Sequence, residues 1–251
     1  MKKLLSIILA GAMALSMAGC EKKDADNVLS IGYTIYEPMN YTDEDGKLTG
    51  FDTEFAELVC EKIEMTPEFI EINWDTKFTT LDAGQIDCIW NGMTISDEVK
   101  KNCAVSKAYV KNAQVVVMAK DKLESYKDAE SLKGLKFAAE AGSAGETAIK
   151  DNGLDENYTP VAAQTDALLA VAGGQADACV IDITMAKAST AEGTSYEKLG
   201  YSVELTTEEY GIGFRLDDKE LLDKVNTAID ELAKEGTLDV LAEKYELNLA
   251  F

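Results

Sequence analysis

Hydrophobic and polar positions alternate between two periods along the chain, and the switches between them lay out a series of strands and helices. Positions 28–34 alternate as a strand. A loop with aromatic content at 35–40 and a turn at 42–47 follow. Phe51, Phe55, Leu58, Val59 and Ile63 then recur at helical spacing and predict a helix over 51–64. Asp52 is placed to complement its N-terminus, and Thr66-Pro67 ends it. A strand at 68–73, a helix at 75–83 stopped by Gly84-Gln85 and an apolar strand at 88–90 come next, with a new helix from Asp97-Glu98. Strand, helix, strand, helix, strand in this order predicts a parallel sheet with right-handed crossovers.

The pattern resumes with a β-branched run at 114–119, which predicts a buried strand. Positions 120–134 are polar and helical in part, and a strand follows at 135–140. A glycine-rich turn at 142–146 opens a helix to about 151, then come a strand near 158–162, a helix at 165–173 and a strand at 178–182 that leads into another helix. A strand at 210–214 precedes an amphipathic helix at 219–234, with Leu221, Leu222, Val225, Ile229, Leu232 and Ala233 on one face and Gly236 at its end. A short helix at 237–245 closes the chain. Two stretches, 83–89 and 173–179, share a helix end, Gly-Gln-x-Asp and an apolar strand, and each strand runs out in polar residues, Trp90-Asn91 and Ile181-Asp182. The repetition predicts two similar α/β lobes whose strand ends face a shared cleft. The stretch 87–96 forms one wall, with the Trp90 indole exposed at the carboxyl edge of its strand.

Composition narrows the chemistry. A chain of 251 residues suits one large domain or two lobes, and its net charge of −22 repels nucleic acid and anionic headgroups. With no histidine, Ser-His-Asp and Cys-His catalysis and histidine-ligated metals are excluded. Arg215 is the only arginine, hence the only source of a bidentate carboxylate clamp. No C-x-x-C pair is present, so a zinc site is not expected, and no residue pattern calls for a cofactor. Cys60, Cys88, Cys103 and Cys179 are expected as buried free thiols, with a Cys60–Cys103 bridge left open by spacing.

At the N-terminus, Met1-Lys2-Lys3 precedes an apolar run at 4–17, the length of a signal-peptide core. Met17-Ala18-Gly19-Cys20 resembles a bacterial lipobox. It predicts a signal peptide at 1–19, diacylation of Cys20 and a polar tether at 20–27. An ordinary cleaved secretory signal is the alternative. The fold is expected outside the cell membrane, held to it by lipid.

Gly50-Phe51-Asp52, Leu81-x-x-Gly84-x-Ile86-Asp87, Gly92-Met93-Thr94-Ile95, Ser106-x-x-Tyr109, Leu132-x-Gly134, Gly174-x-x-Asp177-Ala178, Tyr210-Gly211-Ile212 and Gly236-Thr237 occur in that order. With these motifs the chain resembles the family 3 solute-binding proteins that feed polar amino acids to ABC importers. The resemblance implies a two-lobed, type II binding-protein fold, with lobe one at 28–113 and 208–251 and lobe two at 114–207. It implies a monomer that closes on its ligand, catalyses nothing and serves permease and ATPase subunits. Asp182 would take the ligand ammonium, although its position also suits a helix N-cap. Asn91, Gly92 and Thr94 would hold the ligand through carbonyl and hydroxyl groups, and the amides of Ser143, Ala144 and Gly145 would receive a carboxylate. Tyr36 and Trp74 would sandwich the ligand, with Trp90 at the rim, though core packing is the plainer role of any aromatic.

One position departs from the family. The arginine expected five residues after Thr94 is Val99. Lys77 is the candidate substitute and Lys107 a weaker one, a solvated helix lysine being the plain alternative. A small polar amine therefore fits better than a standard α-amino acid. The alternatives are a dehydratase-like enzyme on the same scaffold, using Glu37, Glu140 or Lys77, and a sensor subunit.

Overall fold

The computed structural model describes residues 27–251. The expected signal peptide, Cys20 and all but the last residue of the tether lie outside the described residues. No helix among the described residues is long and apolar enough to cross a membrane.

Strand β1 (Val28–Tyr33) is followed by a small hairpin, β2 (Tyr41–Thr42) and β3 (Leu48–Thr49), around the expected turn. Helix α1 (Phe51–Lys62) buries Phe51, Phe55, Ala56 and Val59, most of the face that the spacing marks out. Then come β4 (Thr66–Glu71), a 3-10 turn at Trp74–Thr76, α2 (Lys77–Asp82), β5 (Cys88–Thr94), α3 (Asp97–Asn102) and β6 (Ala104–Val105). Strand β7 (Val110–Ala119) leads to β8 (Phe137–Glu140), α4 (Ala144–Asp151), β9 (Tyr158–Val161), α5 (Gln164–Ala172), β10 (Ala178–Asp182) and α6 (Ile183–Ser189). The chain returns through β11 (Leu199–Phe214) and ends with α7 (Lys219–Lys234) and α8 (Thr237–Lys244).

The strands run β4-β1-β5-β11-β7-β10-β8-β9, with β6 also on β11. Strands β4 and β5 flank β1 in parallel, as the strand–helix alternation predicts. Strands β8, β9 and β10 form a second parallel group. Between the groups lie β7 and β11, antiparallel to each other over Leu199–Tyr210, after which β11 passes to β5. They join the two parallel groups into one sheet.

Sequence reading misses the first eleven residues of β11. Leu199, Tyr201, Val203 and Leu205 alternate there with Gly200, Ser202, Glu204 and Thr206, a strand signal that the reading passes over; the polar stretch Thr206–Glu209 is a strand through its pairing with β7. Strand β5 also runs on past Trp90 to Thr94, because Tyr210 and Gly211 supply it with partners.

The repeat is structural. Gly84 and Gly174 end their helices in the left-handed region, with φ of 68° and 71°. Three residues later, Asp87 accepts the Ser30 N–H and Asp177 accepts the Lys136 N–H, both at 3.0 Å. Each aspartate thus ties the entry of its strand to the neighbouring parallel strand. The four described cysteines are buried free thiols.

Candidate functional site

The ends of β5 and β10 border one cavity of about 400 Å³. On the β5 side the ladder to β11 is irregular. Gly211 pairs with Met93 and Gly213 with Ile89, so Trp90, Asn91 and Gly92 bulge opposite Ile212. Gly92 adopts φ 55°, and a Cβ there would lie 2.7 Å from the Tyr36 ring and 3.1 Å from that of Tyr210. Only glycine fits. Its N–H donates to Asp52 Oδ2 at 2.6 Å, and the Tyr109 hydroxyl donates to the same oxygen at 2.9 Å. Asp52 therefore clamps the bulge from below. Burial raises its pKa to about 7 against the pull of these bonds.

Asn91 borders the cavity, but its amide is engaged with the loop after β1. It donates to the Thr34 carbonyl at 2.9 Å and Asn40 Oδ1 at 2.7 Å, and accepts from the Thr34 hydroxyl at 2.7 Å. Thr94 also borders the cavity and donates to Glu208 at 2.6 Å.

On the β10 side the centre is Asp182, buried at the N-cap position of α6 yet making no side-chain cap. Its carboxylate accepts from Asn112 at 2.5 Å, Gln114 at 2.9 Å, the Tyr210 hydroxyl at 2.8 Å and Gln164 at 2.6 Å. All four donors are uncharged. Asn112 and Gln114 also donate to Glu208, at 2.6 and 2.7 Å, so two carboxylates share two amides. Burial, reinforced by the Glu208 charge, raises the Asp182 pKa to about 7. Glu140, at the end of β8, is 3% exposed and its Oε1 has no hydrogen-bond partner among the described residues. Burial first, then the Asp182 charge, pushes its pKa to about 8.

Lys77 is buried, not solvated. Its ammonium donates to the Gly142 carbonyl at 2.8 Å and the Trp74 carbonyl at 3.3 Å, and lies 4.9 Å and 4.6 Å from the Trp74 and Phe78 ring centres. Burial lowers its pKa. Lys77 thus ties α2 to the turn before α4. In that turn the Glu146 N–H donates to Ser143 Oγ at 3.1 Å, and the Gly142 N–H donates to Glu146 at 2.7 Å.

Residues 29–248 match the model of the bacterial extracellular solute-binding proteins, family 3. The chain belongs to this family. A probable amino-acid-binding protein of Bacillus subtilis, YxeM, is 35% identical, covering 98% of this chain and 95% of its own. The crystal structure of an ABC uptake transporter substrate-binding protein from Streptococcus pneumoniae with bound histidine superposes with a TM-score of 0.81 at 30% identity, covering 88% of this chain and 92% of that one. An ancestral amino-acid-binding protein, described as a precursor of cyclohexadienyl dehydratase, matches at TM-score 0.81 and 30% identity, covering 88% and 96%. The fold is the two-lobed type II fold of these binding proteins, and substrate binding is the role of the family.

Several expectations carried by the family resemblance meet at the cavity. Trp74, Lys77, Asn91, Gly92, Thr94, Ser143, Ala144 and Asp182 border it, as does Val99. Gly145 lies behind, where a Cβ would meet the Val180 carbonyl at 2.7 Å. Two aromatic assignments are corrected. Trp90 is not at the rim: β5 continues past it, and its indole is fully buried, edge-on to Phe55 at 5.1 Å. Tyr36 does not form a sandwich with Trp74: its ring is buried in the core, and its hydroxyl bonds those of Thr184 and Tyr210. Tyr36 reaches Asp182 only through Tyr210.

Lys107 pairs with Asp230 on α7, and Arg215 bonds the Ile86 carbonyl, Asp87 and Asp218. Neither borders the cavity. The sequence pattern passes over Gln164, Glu208, Asn112 and Gln114. Glu208 sits in the unrecognised part of β11, and the two amides precede or open the β-branched run of β7, where apolar neighbours mask them.

Proposed function

We propose that this protein is the extracytoplasmic binding component of an ABC importer and captures an amino acid or a related small polar amine by lobe closure. The observation that carries this is Asp182: a buried carboxylate at the end of β10, bordering the cavity, held only by neutral donors. A buried anion in that setting favours an incoming cation. The lobe boundaries are taken at 28–113 with 208–251 and at 114–207, which fits the change of partner along β11. The protein acts as a monomer, hands its ligand to permease and ATPase subunits, is tethered through acylated Cys20 and performs no turnover.

Native mass spectrometry of protein purified without denaturation identifies the ligand. Calorimetry and Trp74 fluorescence against amino acids and polyamines then give saturable binding. Absence of a co-purified molecule and of saturable binding across the panel overturns the proposal, and turnover of prephenate-like acids overturns its non-enzymatic part. Loss of labelled palmitate in Cys20→Ala tests the tether.

A further inference from the structure

The charges around the cavity are lopsided. Glu140, Asp182, Glu208, Asp97, Glu98 and Asp151 border it, and Lys77 is the only basic residue that does so among the described residues. Asp182 and Glu208 are satisfied by shared amides, but Glu140 has an oxygen with no partner. Among titratable groups it faces Lys77 from α2, Asp182 from β10 and Asp166 from α5. The Lys77 ammonium is directed at the Gly142 and Trp74 carbonyls and does not bond Glu140. A buried carboxylate left unpaired in this way costs stability unless a ligand supplies the partner. Val99, at the edge of the same cavity, offers an apolar surface and no cation.

We propose that Glu140 is a specificity-determining residue of the cleft: it receives a second positive charge on the ligand, beyond the ammonium taken by Asp182. This rests on the binding function proposed above and narrows it to ligands with two cationic groups separated by an aliphatic segment. The Trp74 and Phe78 side chains supply an apolar wall for that segment. Basic amino acids and aliphatic diamines share this chemistry. Glu140 and Asp182 retain protons in the neutral range, so a dication releases protons on binding and binds more tightly as pH rises. A neutral side-chain amide would instead accept a hydrogen bond from protonated Glu140, which opposes the proton release at Asp182 and makes its pH dependence shallower than that of a dication.

The test is calorimetry of the whole protein with arginine, lysine, agmatine, cadaverine and glutamine between about pH 6 and about pH 8.5, in buffers of different ionisation enthalpy. Wild-type protein is expected to prefer the dications. Their affinity should rise by up to about 10-fold per pH unit for each proton released. In Glu140→Gln the ratio of dication to glutamine affinity should fall by about 100-fold, with a shallower pH slope. Agmatine and cadaverine against arginine and lysine report whether a carboxylate contributes. Equal weakening of all ligands in Glu140→Gln, a wild-type preference for glutamine, or affinity that falls with rising pH overturns the assignment. Greater proton release by the dications than by glutamine in the wild-type protein tests Glu140 even if the variant folds poorly. A co-purified ligand with one positive charge overturns this inference and leaves the binding function standing, whereas absence of any ligand overturns both.

Discussion

Helices α2 and α5 end alike, at Gly84 and Gly174, and Asp87 and Asp177 tie the following strands to their neighbours with matching bonds. Beyond that shared corner the two strands diverge. Strand β5 runs into a bulge in which Asp52 takes the Gly92 amide and Thr34 and Asn40 take the Asn91 side chain, with Thr94 just beyond it held by Glu208. Strand β10 stops at a carboxylate surrounded by neutral donors, beside the unpaired Glu140. One corner delivers shape and the other delivers charge. The scaffold fixes where two strand ends meet, and the residues just past the scaffold decide what they can hold.

Removing the charged end should have the largest effect. Asp182→Ala is expected to lower ligand affinity by about 1,000-fold, because it leaves a buried cation unpaired. Unchanged affinity by calorimetry would refute the assignment. At the shaped end, Gly92→Ala should cost about 3 kcal/mol in denaturant unfolding, combining the left-handed φ with overlap on Tyr36. Gly84→Ala has a similar φ but open space around its Cβ and should cost only about 1 kcal/mol. Equal costs would mean that crowding at the bulge is immaterial.

A pH series compares the ends again. Asp52 and Asp182 have pKa values of about 7, and Glu140 one of about 8, all above the ordinary carboxylate range. The folded protein therefore binds more protons than the unfolded chain between about pH 4 and about pH 8. The stability linked to these groups is fully present below the unfolded pKa values and is lost as pH rises through the folded ones. The melting temperature of ligand-free protein should fall by at least about 5 °C between about pH 5.5 and about pH 8.5. Asp52→Asn and Asp182→Asn should each flatten the profile, and a profile that rises with pH would show these carboxyls to be ionised throughout. The smallest effect concerns the corner. Asp177→Asn should cost about 1 kcal/mol, and Asp87→Asn somewhat more, because Asp87 pairs with Arg215 at 2.9 Å whereas Asp177 reaches Lys122 only at 3.9 Å. Val99→Arg should shift preference toward carboxylate ligands in a competition assay.

Much of this architecture is legible in the sequence. The face of α1, the stops at Gly84 and Gly174 and the parallel pairing of the first three long strands follow from periodicity and glycine placement. Asp182 is legible as a lone acid after an apolar strand, and Lys77 as a cation one turn beyond Trp74. The aromatic assignments fail for a common reason. Whether a ring sits at the rim of a sheet depends on where its strand ends, and β5 continues past Trp90 because β11 pairs with it. Tyr36 is drawn inward by the hydroxyls of Thr184 and Tyr210, which are 148 and 174 residues away in the chain.

The local grammar of this protein can be read from its residues alone: its helices, its duplicated corner, its acidic balance and the acid at the end of β10. Those depend on neighbours a few residues apart, and period, turn chemistry and charge are properties of that range. Long-range packing settles the rest: β11 continues through Thr206–Glu209 to reach β5, Asn112 and Gln114 are shared between Asp182 and Glu208, and a Glu140 oxygen is left without a partner among the described residues. Such facts depend on burial and on partners from distant strands, and burial turns an ordinary glutamate into one that needs a cation.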